Sequence, residues 1–261
     1  MRLRDKVVLV MGGGSDGPPA KGEQLAIGNG RAAAIQCARE GAWVVVADRN
    51  IAAAEETAKA IQAEGFKAGA IACDVGDASQ CQEAVAATVK TFGALHGLVN
   101  NVGIADMLPP IDASEEEFER VLKVNVRGQF LAIKYALPEM IRAGGGAIVN
   151  VSSLNGLRSG GGAGVAYESS KAALLGLTRN IALSMAPQKV RCNAVLPGII
   201  DSTMLRRYVG DMEIDFSGRI PMRRLGSPWE VAKAIAFMLS DDASYITGTE
   251  LVVDGGVACS I

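Results

Sequence analysis

The sequence predicts a single-domain α/β fold of the doubly wound type, with a seven-stranded parallel sheet flanked by helices. Two observations lead to this prediction. Short β-branched runs alternate with longer segments of helical period along the chain, which is the pattern of repeated βα units. The runs at 7–10 (VVLV) and 44–47 (VVVA) are also continuously apolar, as parallel strands covered by helices on both faces are.

The predicted strands cover residues 6–11, 43–48, 68–74, 98–101, 147–152, 190–196 and 251–253. The predicted helices cover residues 31–40, 51–64, 78–92, 115–142, 167–185 and 228–239. No proline- or serine-rich linker divides residues 1–261, so we expect one domain. Two segments depart from the alternation. We interpret residues 15–27 as an inserted flap and residues 202–225, which lack steady periodicity, as a lid over a substrate.

Composition excludes several classes of function. Lys and Arg total 26 against 28 Asp and Glu, for a net charge of -2, so neither a nucleic-acid nor an anionic-membrane partner is expected. No apolar stretch reaches membrane-spanning length and no signal-peptide core follows Met1, so we expect a cytoplasmic protein. The five cysteines form no C-x-x-C motif and His96 is the one histidine. We therefore expect no metal site and no histidine-based catalysis.

A glycine-rich turn follows the first predicted strand. Residues 12–17 fit the dinucleotide-binding pattern G-x-G-x-x-G, but Pro18 and Pro19 come next, so no helix can begin at the last glycine of the pattern. The helical run begins only after Gly28-Asn29-Gly30. We therefore expect a divided phosphate cradle, in which Gly12 makes the turn and Gly28 and Gly30 let backbone approach the phosphates.

The residues after the second and third strands suggest which dinucleotide is bound. Asp48 ends the second strand, 20 residues after Gly28, where a carboxylate would accept hydrogen bonds from both ribose hydroxyls and repel a 2′-phosphate. This favours NAD over NADP. Arg49 is interpreted as a cover over the adenine or as a solvated side chain. Asp74 and Val75 are expected near the adenine, although Asp74 is equally well explained as a helix cap.

A second group of polar residues could carry acid–base chemistry. Tyr167 and Lys171 are four residues apart and share one face of a helix, Ser153 follows a strand, and Asn125 interrupts a helical pattern. Each has an ordinary structural explanation. Ser153 could cap a turn, Asn125 could bond backbone within its helix, and Tyr167 could be a helix-start aromatic with Lys171 solvated.

These motifs occur together with Asn100-Asn101-Val102-Gly103 and Pro197-Gly198 at strand ends. In this order and spacing the chain resembles the classical short-chain dehydrogenase/reductase family over essentially its whole length. The resemblance implies a Rossmann fold and a nicotinamide cofactor. It also implies that Tyr167 exchanges a proton with the substrate oxygen, that Lys171 stabilises the phenolate and holds the nicotinamide ribose, that Ser153 orients the substrate and that Asn125 anchors a proton-relay water.

The expected contacts follow from the same motifs. Cofactor contacts are expected from Gly12, Gly28, Asn29, Gly30, Asp48, Arg49, Asp74, Val75, Asn101, Gly103, Tyr167, Lys171, Pro197, Gly198, Ile200 and Ser202. Substrate contacts are expected from Ile104, Leu154, Asn155, Met204 and Leu205.

Three features depart from the family pattern. Met11 stands where the family has a threonine before the first glycine. Residues 13–27 separate the first two glycines of the cradle, where the family has three residues. Ser153 precedes Tyr167 by 14 residues, one more than is usual, and we prefer it to Ser152 because it can point off the strand end towards the cofactor.

The sequence thus predicts an NAD(H)-dependent oxidoreductase that interconverts a secondary alcohol and a ketone. Because the expected pocket is mostly apolar, we expect a neutral or weakly polar substrate, cyclic or aryl-bearing. The alternatives are an NADP-dependent carbonyl reductase, a cofactor-binding scaffold or sensor without turnover, and a non-redox enzyme on the same fold. The resemblance also implies a homotetramer.

Overall fold

The computed structural model describes residues 1–15, 17–19, 25–159, 163–210 and 217–260. Its centre is one sheet of seven parallel strands, as predicted, and the strand order is β3-β2-β1-β4-β5-β6-β7. The strands are β1 (Val7–Met11), β2 (Trp43–Asp48), β3 (Ala68–Ala72), β4 (Gly97–Asn100), β5 (Gly146–Val151), β6 (Val190–Pro197) and β7 (Glu250–Val253).

Helices cover both faces of this sheet. They are α1 (Asn29–Arg39), α2 (Ile51–Ala63), α3 (Ala78–Phe92), α4 (Glu115–Leu122), α5 (Gly128–Arg142), α6 (Val165–Met185), α7 (Thr203–Val209) and α8 (Pro228–Leu239). A π-helical turn at Lys123–Arg127 divides the predicted helix 115–142 into α4 and α5. The predicted lid at 202–225 contains the regular helix α7, and its residues 211–216 lie outside the described part of the chain.

Strand β1 buries alternate side chains in two separate cores, which is why its sequence has no polar position. Val8 and Val10 of β1 pack in the core that includes α1 and α8. Leu9 and Met11 pack in the opposite core, with α3 and α5. All five residues of β1 are buried. Successive side chains of a strand point to opposite faces, so a strand between two helix layers must be apolar throughout.

The strand order places a crevice between the carboxyl ends of β1 and β4. The chain runs outward from β1 through β2 to β3 on one side, and from β4 to β7 on the other. Loops from neighbouring strands therefore leave in opposite directions at β1 and β4, and such a switch point is where open α/β sheets bind ligands. No helix among the described residues is long and apolar enough to cross a membrane.

A buried arginine fastens the two ends of the segment predicted as a flap. Arg31 is 0% exposed and its guanidinium donates hydrogen bonds to the carbonyl oxygens of Ser15 and Ala26 at 3.4 and 2.9 Å. It also donates to Thr57 Oγ1 at 2.8 Å and pairs with Glu56 at 2.6 Å. The structure thus describes both ends of 15–27, while residues 16 and 20–24 lie outside the described part.

We expect Arg31→Met to lower the free energy of unfolding by about 2–3 kcal/mol, because the variant leaves buried carbonyl groups unpaired. Urea unfolding at neutral pH measures this loss. Glu56→Gln is the matched control. The Glu56 side chain is 54% exposed, so removing its charge should cost less than about 1 kcal/mol. Equal losses in the two variants would show that the exposed ion pair, and not the buried carbonyl bonds, holds this region.

Candidate active site

A cleft opens at the carboxyl edge of the sheet, at the switch point. Its wall, as formed by the described residues, includes most of the predicted cofactor contacts and two of the predicted substrate contacts. These are Gly12, Gly28, Asn29, Gly30, Asp48, Arg49, Asp74, Val75, Asn101, Gly103, Tyr167, Lys171 and Ser202, with Ile104 and Met204. The structure therefore brings together residues that are far apart in the sequence.

The other predicted contacts lie off this wall. They are Asn125, Ser153, Leu154, Asn155, Pro197, Gly198, Ile200 and Leu205. Leu154 is buried at 9% exposure and Ile200 at 6%. Gly198 packs closely against Asp254, since a Cβ added at Gly198 would lie 2.6 Å from that of Asp254. Pro197 and Gly198 thus pack against β7 in this structure.

The structure also adds residues that sequence reasoning did not place in the site. Cys73 and Arg120 line the cleft, as do Gly14, Val102, Val124 and Val151. Arg120 lies on α4, where its guanidinium pairs with Glu117 at 2.7 Å. No local pattern marks it, because arginines on helix surfaces are common and are usually solvated.

The two parts of the predicted phosphate cradle lie in separate segments, the turn after β1 and the beginning of α1, and Gly30 has a packing role that was not expected. Helix α1 begins at Asn29 and Gly28 precedes it, while Gly12 has a positive φ of 78° in the turn after β1. A Cβ at Gly30 would overlap the carbonyl oxygen of Gly12. Gly30 therefore lets α1 pack against the turn. Asn101 Nδ2 donates to the same oxygen at 2.9 Å and fixes the turn from β4.

The described part of the inserted segment packs against α7. Ser15 Oγ and Thr203 Oγ1 are hydrogen-bonded at 3.1 Å, and Gly17 lies so close that an added Cβ would be 2.7 Å from that of Thr203. Arg206 also donates to the carbonyl oxygen of Pro18 at 3.3 Å. The segment thus connects the phosphate cradle to the first helix of the predicted lid.

Asp48 closes the other end of the cradle. Its Oδ2 accepts a hydrogen bond from the Gly14 N–H at 3.0 Å, and its Oδ1 accepts one from the Asn50 N–H at 3.0 Å. Both bonds orient the carboxylate at the cleft wall, beside the exposed side chain of Arg49. A carboxylate held in this way can still accept hydrogen bonds, since each oxygen has two lone pairs.

The Lys171 ammonium is buried beside the half-buried Tyr167. Its Nζ donates to the Val151 carbonyl oxygen at 2.9 Å and lies 5.6 Å from the centre of the Tyr167 ring. Burial lowers the pKa of Lys171 to about 8. Burial raises the pKa of the Tyr167 phenol, and a hydrogen bond with Ser153 opposes this with a smaller lowering. Tyr167 is therefore a neutral phenol at neutral pH in the cofactor-free chain.

The two serines after β5 have separate environments. Ser152 is 4% exposed and its hydroxyl donates to the Lys171 carbonyl oxygen at 2.7 Å, so it fastens the strand end to α6. The Ser153 hydroxyl accepts a bond from the Asn155 N–H at 3.2 Å and lies next to the Tyr167 phenol. The geometry thus favours Ser153 as the group that can orient a substrate oxygen towards Tyr167.

Asn125 occupies the middle of the π-helical turn, where the backbone ladder is interrupted. Its Oδ1 accepts from the Ile104 N–H at 2.8 Å, and its Nδ2 donates to the Ile104 carbonyl oxygen at 2.8 Å and to Ser170 Oγ at 2.9 Å. Both amide hydrogens are therefore engaged. In this structure Asn125 holds the segment after β4, and one Oδ1 lone pair remains for a water.

The residues of the cleft fit a nicotinamide dinucleotide. Gly28, Asn29 and Gly30, at the beginning of α1, line the cleft, where the helix dipole would stabilise a pyrophosphate. Asn29 Oδ1 is buried there without a hydrogen-bond partner among the described residues, so it is available to a ribose or water hydroxyl. The Asp48 carboxylate, Tyr167 and Lys171 line the same cleft.

Comparison with known proteins agrees with this geometry. A family model described as enoyl-(acyl carrier protein) reductase matches residues 25–258. L-rhamnose 1-dehydrogenase (NAD(P)(+)) of Azotobacter vinelandii is 38% identical over 98% of this chain and 98% of its own. Cyclohexanol dehydrogenase of Acinetobacter sp. strain SE19 is 37% identical over 97% of this chain and 95% of its own.

A solved structure is similar over the full length. Levodione reductase superposes with a TM-score of 0.91 at 34% identity, and the match covers 100% of both chains. This similarity extends from the glycine-rich cradle to the helix that carries Tyr167 and Lys171. The chain is an oxidoreductase that uses a nicotinamide cofactor, NAD or NADP, and it belongs to the short-chain dehydrogenase/reductase family.

Proposed function

We propose that this enzyme interconverts a neutral cyclic secondary alcohol and the corresponding ketone, with NAD as its cofactor. The observation that carries the proposal is the arrangement of Tyr167 and Lys171 on the wall of the cleft, with Ser153 hydrogen-bonded to the Tyr167 phenol from behind that wall. A phenol next to a buried ammonium and a serine hydroxyl can exchange a proton with an oxygen placed between them.

The chemistry divides between cofactor and protein. A bound nicotinamide would supply the hydride acceptor for the alcohol carbon in one direction and the hydride donor in the other. Ser153 orients the substrate oxygen, Tyr167 takes or gives its proton, and the charged Lys171 favours the phenolate electrostatically. A phenol has an ordinary pKa near 10, so it is a weak base at neutral pH without such a charge nearby.

The preference for NAD is proposed from charge. A 2′-phosphate on the adenosine ribose would lie against the Asp48 carboxylate, and like charges about 4 Å apart repel by roughly 1–4 kcal/mol near a protein surface. The unphosphorylated ribose instead offers hydroxyl donors to that carboxylate. Arg49 next to it is the residue that would favour NADP, as in the alternative of an NADP-dependent carbonyl reductase.

The substrate class is proposed from the apolar part of the cleft wall. Ile104 and Met204 line the cleft with apolar surface, which suits a hydrocarbon ring. A cyclohexanol dehydrogenase and a levodione reductase among the similar proteins support a cyclic substrate, whereas the rhamnose dehydrogenase leaves a sugar as the alternative. The homotetramer and the cytoplasmic location remain predictions.

We expect the parent enzyme to reduce NAD with cyclohexanol, and Tyr167→Phe to lower kcat by about 10²- to 10⁴-fold, since the proton acceptor is lost. Nicotinamide absorbance measures turnover, and a fluorescence titration with NADH measures binding, which should not change. Tyr135→Phe is the control, because Tyr135 lies on α5 outside the cleft wall. Full activity in Tyr167→Phe would remove the proton role. NADH binding without turnover on a panel of alcohols and ketones would favour a sensor.

Asp48→Asn should lower the preference for NAD over NADP by about tenfold, as expected for loss of one repulsive charge. The asparagine oxygen can still accept the Gly14 N–H bond, so the turn is retained. The ratio of the two kcat/KM values measures the effect. Glu55→Gln removes the same charge from an exposed position on α2 and should leave the ratio unchanged. A parent enzyme that already prefers NADP would contradict the cofactor proposal.

Lys171→Met should stabilise the cofactor-free chain at pH 7. The pKa of Lys171 falls from 10.5 to about 8 on folding, so the unfolded chain binds more protons between these values and parental stability rises with pH across that window. At pH 7, burial of the charged Lys171 lowers the free energy of unfolding of the parent by about 3 kcal/mol. The variant removes this penalty but leaves the Val151 carbonyl unpaired, so its free energy of unfolding should exceed that of the parent by about 2 kcal/mol.

Urea unfolding at pH 7, 8 and 10 measures this gain, which should shrink as the pH rises. Lys59→Met is the control, because Lys59 is exposed on α2 and carries no burial penalty. If the free energies of unfolding of the parent and of Lys171→Met differed by the same amount at all three pH values, the buried Lys171 charge would not be the cause of the difference.

A further inference from the structure

Three consecutive residues after β4 each bond a different element of the site. Asn125 holds both the N–H and the carbonyl oxygen of Ile104. The Tyr208 hydroxyl of α7 donates to the carbonyl oxygen of Ala105 at 2.9 Å. Asp106 bonds the beginning of α6. The segment therefore lies between the π-helical turn, the lid helix and the helix that carries Tyr167.

Asp106 contacts α6 through two groups. Its Oδ1 accepts a hydrogen bond from the Tyr167 N–H at 2.8 Å, and its backbone carbonyl accepts one from the Gly164 N–H at 2.8 Å. Asp106 is buried, with 5% of its surface exposed. Oδ2 is buried without a hydrogen-bond partner among the described residues, and a Cβ added at Gly164 would overlap it.

Helix α6 has no cap of its own. The residue before its first turn is Gly164, which offers no side chain, and the structure gives that end no side-chain cap from the N-cap position. The first N–H groups of a helix have no partner within the helix, and an uncapped end frays. Asp106, 61 residues earlier in the chain, fills this role with a carboxylate, which the helix dipole also favours.

We propose that Asp106 is a positioning residue for Tyr167. It acts through the Tyr167 backbone, in the first turn of α6, and fixes the position of the phenol relative to Ser153. Lys171, one turn further along, is held independently by the Val151 carbonyl. Loss of the Asp106 bond should therefore displace the phenol from its ammonium and serine neighbours while the rest of the helix stays in place.

Two substitutions separate the hydrogen bond from the charge. Asp106→Ala removes the acceptor, whereas Asp106→Asn keeps an acceptor oxygen, and Asn and Asp cap helices about equally well. Asp77→Ala is the matched control. Asp77 caps α3 by accepting the Ser79 and Gln80 N–H bonds, and it lies outside the cleft wall.

The first measurement is hydrogen exchange in the cofactor-free chain, which needs no substrate. Asp106→Ala should increase exchange in the first turn of α6 by about tenfold, the usual effect of losing a helix cap, and leave the last turns unchanged. Asp106→Asn should stay within about twofold of the parent. Asp77→Ala should raise exchange at the beginning of α3 only. Unchanged exchange at α6 in Asp106→Ala would overturn the proposal.

The second measurement is turnover of cyclohexanol with NAD, and this part rests on the proposed function. Asp106→Ala should lower kcat by at least about tenfold with little change in the KM for NAD. Asp106→Asn should retain most of the parental kcat. Asp77→Ala should have the kcat of the parent. Equal kcat losses in the Asn and Ala variants, or none in Ala, would overturn the proposal. If the parent itself does not turn over cyclohexanol, the proposed function fails and exchange alone decides the role of Asp106.

Gly164→Ala gives an independent check. Its Cβ would push the Asp106 carboxylate and the helix apart, so it should increase exchange in the first turn of α6 when Asp106 is present. In the Asp106→Ala background there is no carboxylate to displace, and the same substitution should have a smaller effect. Additive effects of the two substitutions would contradict the contact on which the proposal depends.

Discussion

The hydrogen bond from Lys171 Nζ to the Val151 carbonyl oxygen is the interaction on which the rest of the site depends. It places an ammonium in an interior position where its charge is poorly solvated, and the surrounding groups are arranged to leave it room. Gly103 comes so close that an added Cβ would lie 3.1 Å from Nζ. Ser152 Oγ bonds the Lys171 carbonyl, so the strand end and α6 cannot shift relative to one another without breaking two bonds. A charge held in this way acts on its neighbour more strongly than a solvated one would.

The same end of the sheet holds the cradle by close packing of backbone. Gly30 brings α1 against the Gly12 carbonyl, and Asn101 donates to that oxygen from β4. The two strands at the switch point are therefore connected to one another and to the first helix. The cradle and the Tyr167–Lys171 pair are both in contact with the segment after β4. Asn101, Gly103 and Ile104 follow this strand directly. This explains how one sheet edge can fix the distance between two parts of an extended ligand.

Much of the fold could be predicted because the inner strands, such as β1 and β2, are buried on both faces and so have continuous apolar runs. Motif residues such as Asp48 and Tyr167 were also predictable, since their spacing reflects strand and helix ends. The sequence showed an interruption at Asn125, but its form as a π-helical turn at Lys123–Arg127 was not predictable, because the bonds of Asn125 to Ile104 join residues that are distant in sequence. Arg31 and Asp106 were missed for the same reason. Their partners lie in other elements, and neither has a local pattern that marks it.

The long insertion between the glycines of the cradle raises the question of how the turn keeps its geometry. Closing a loop of fifteen residues instead of three costs only about 1.4 kcal/mol more entropy, because the cost grows with the logarithm of length. The Arg31 guanidinium bonds Ser15 and Ala26, close to either end of the insertion, and bonds of this kind offset a penalty of that size. Because Arg31 holds the two ends of the insertion together, the geometry of the Gly12 turn and of the beginning of α1 does not depend on the length of the insertion. The described residues of the insertion pack on α7, through the bonds from Ser15 to Thr203 and from Arg206 to Pro18.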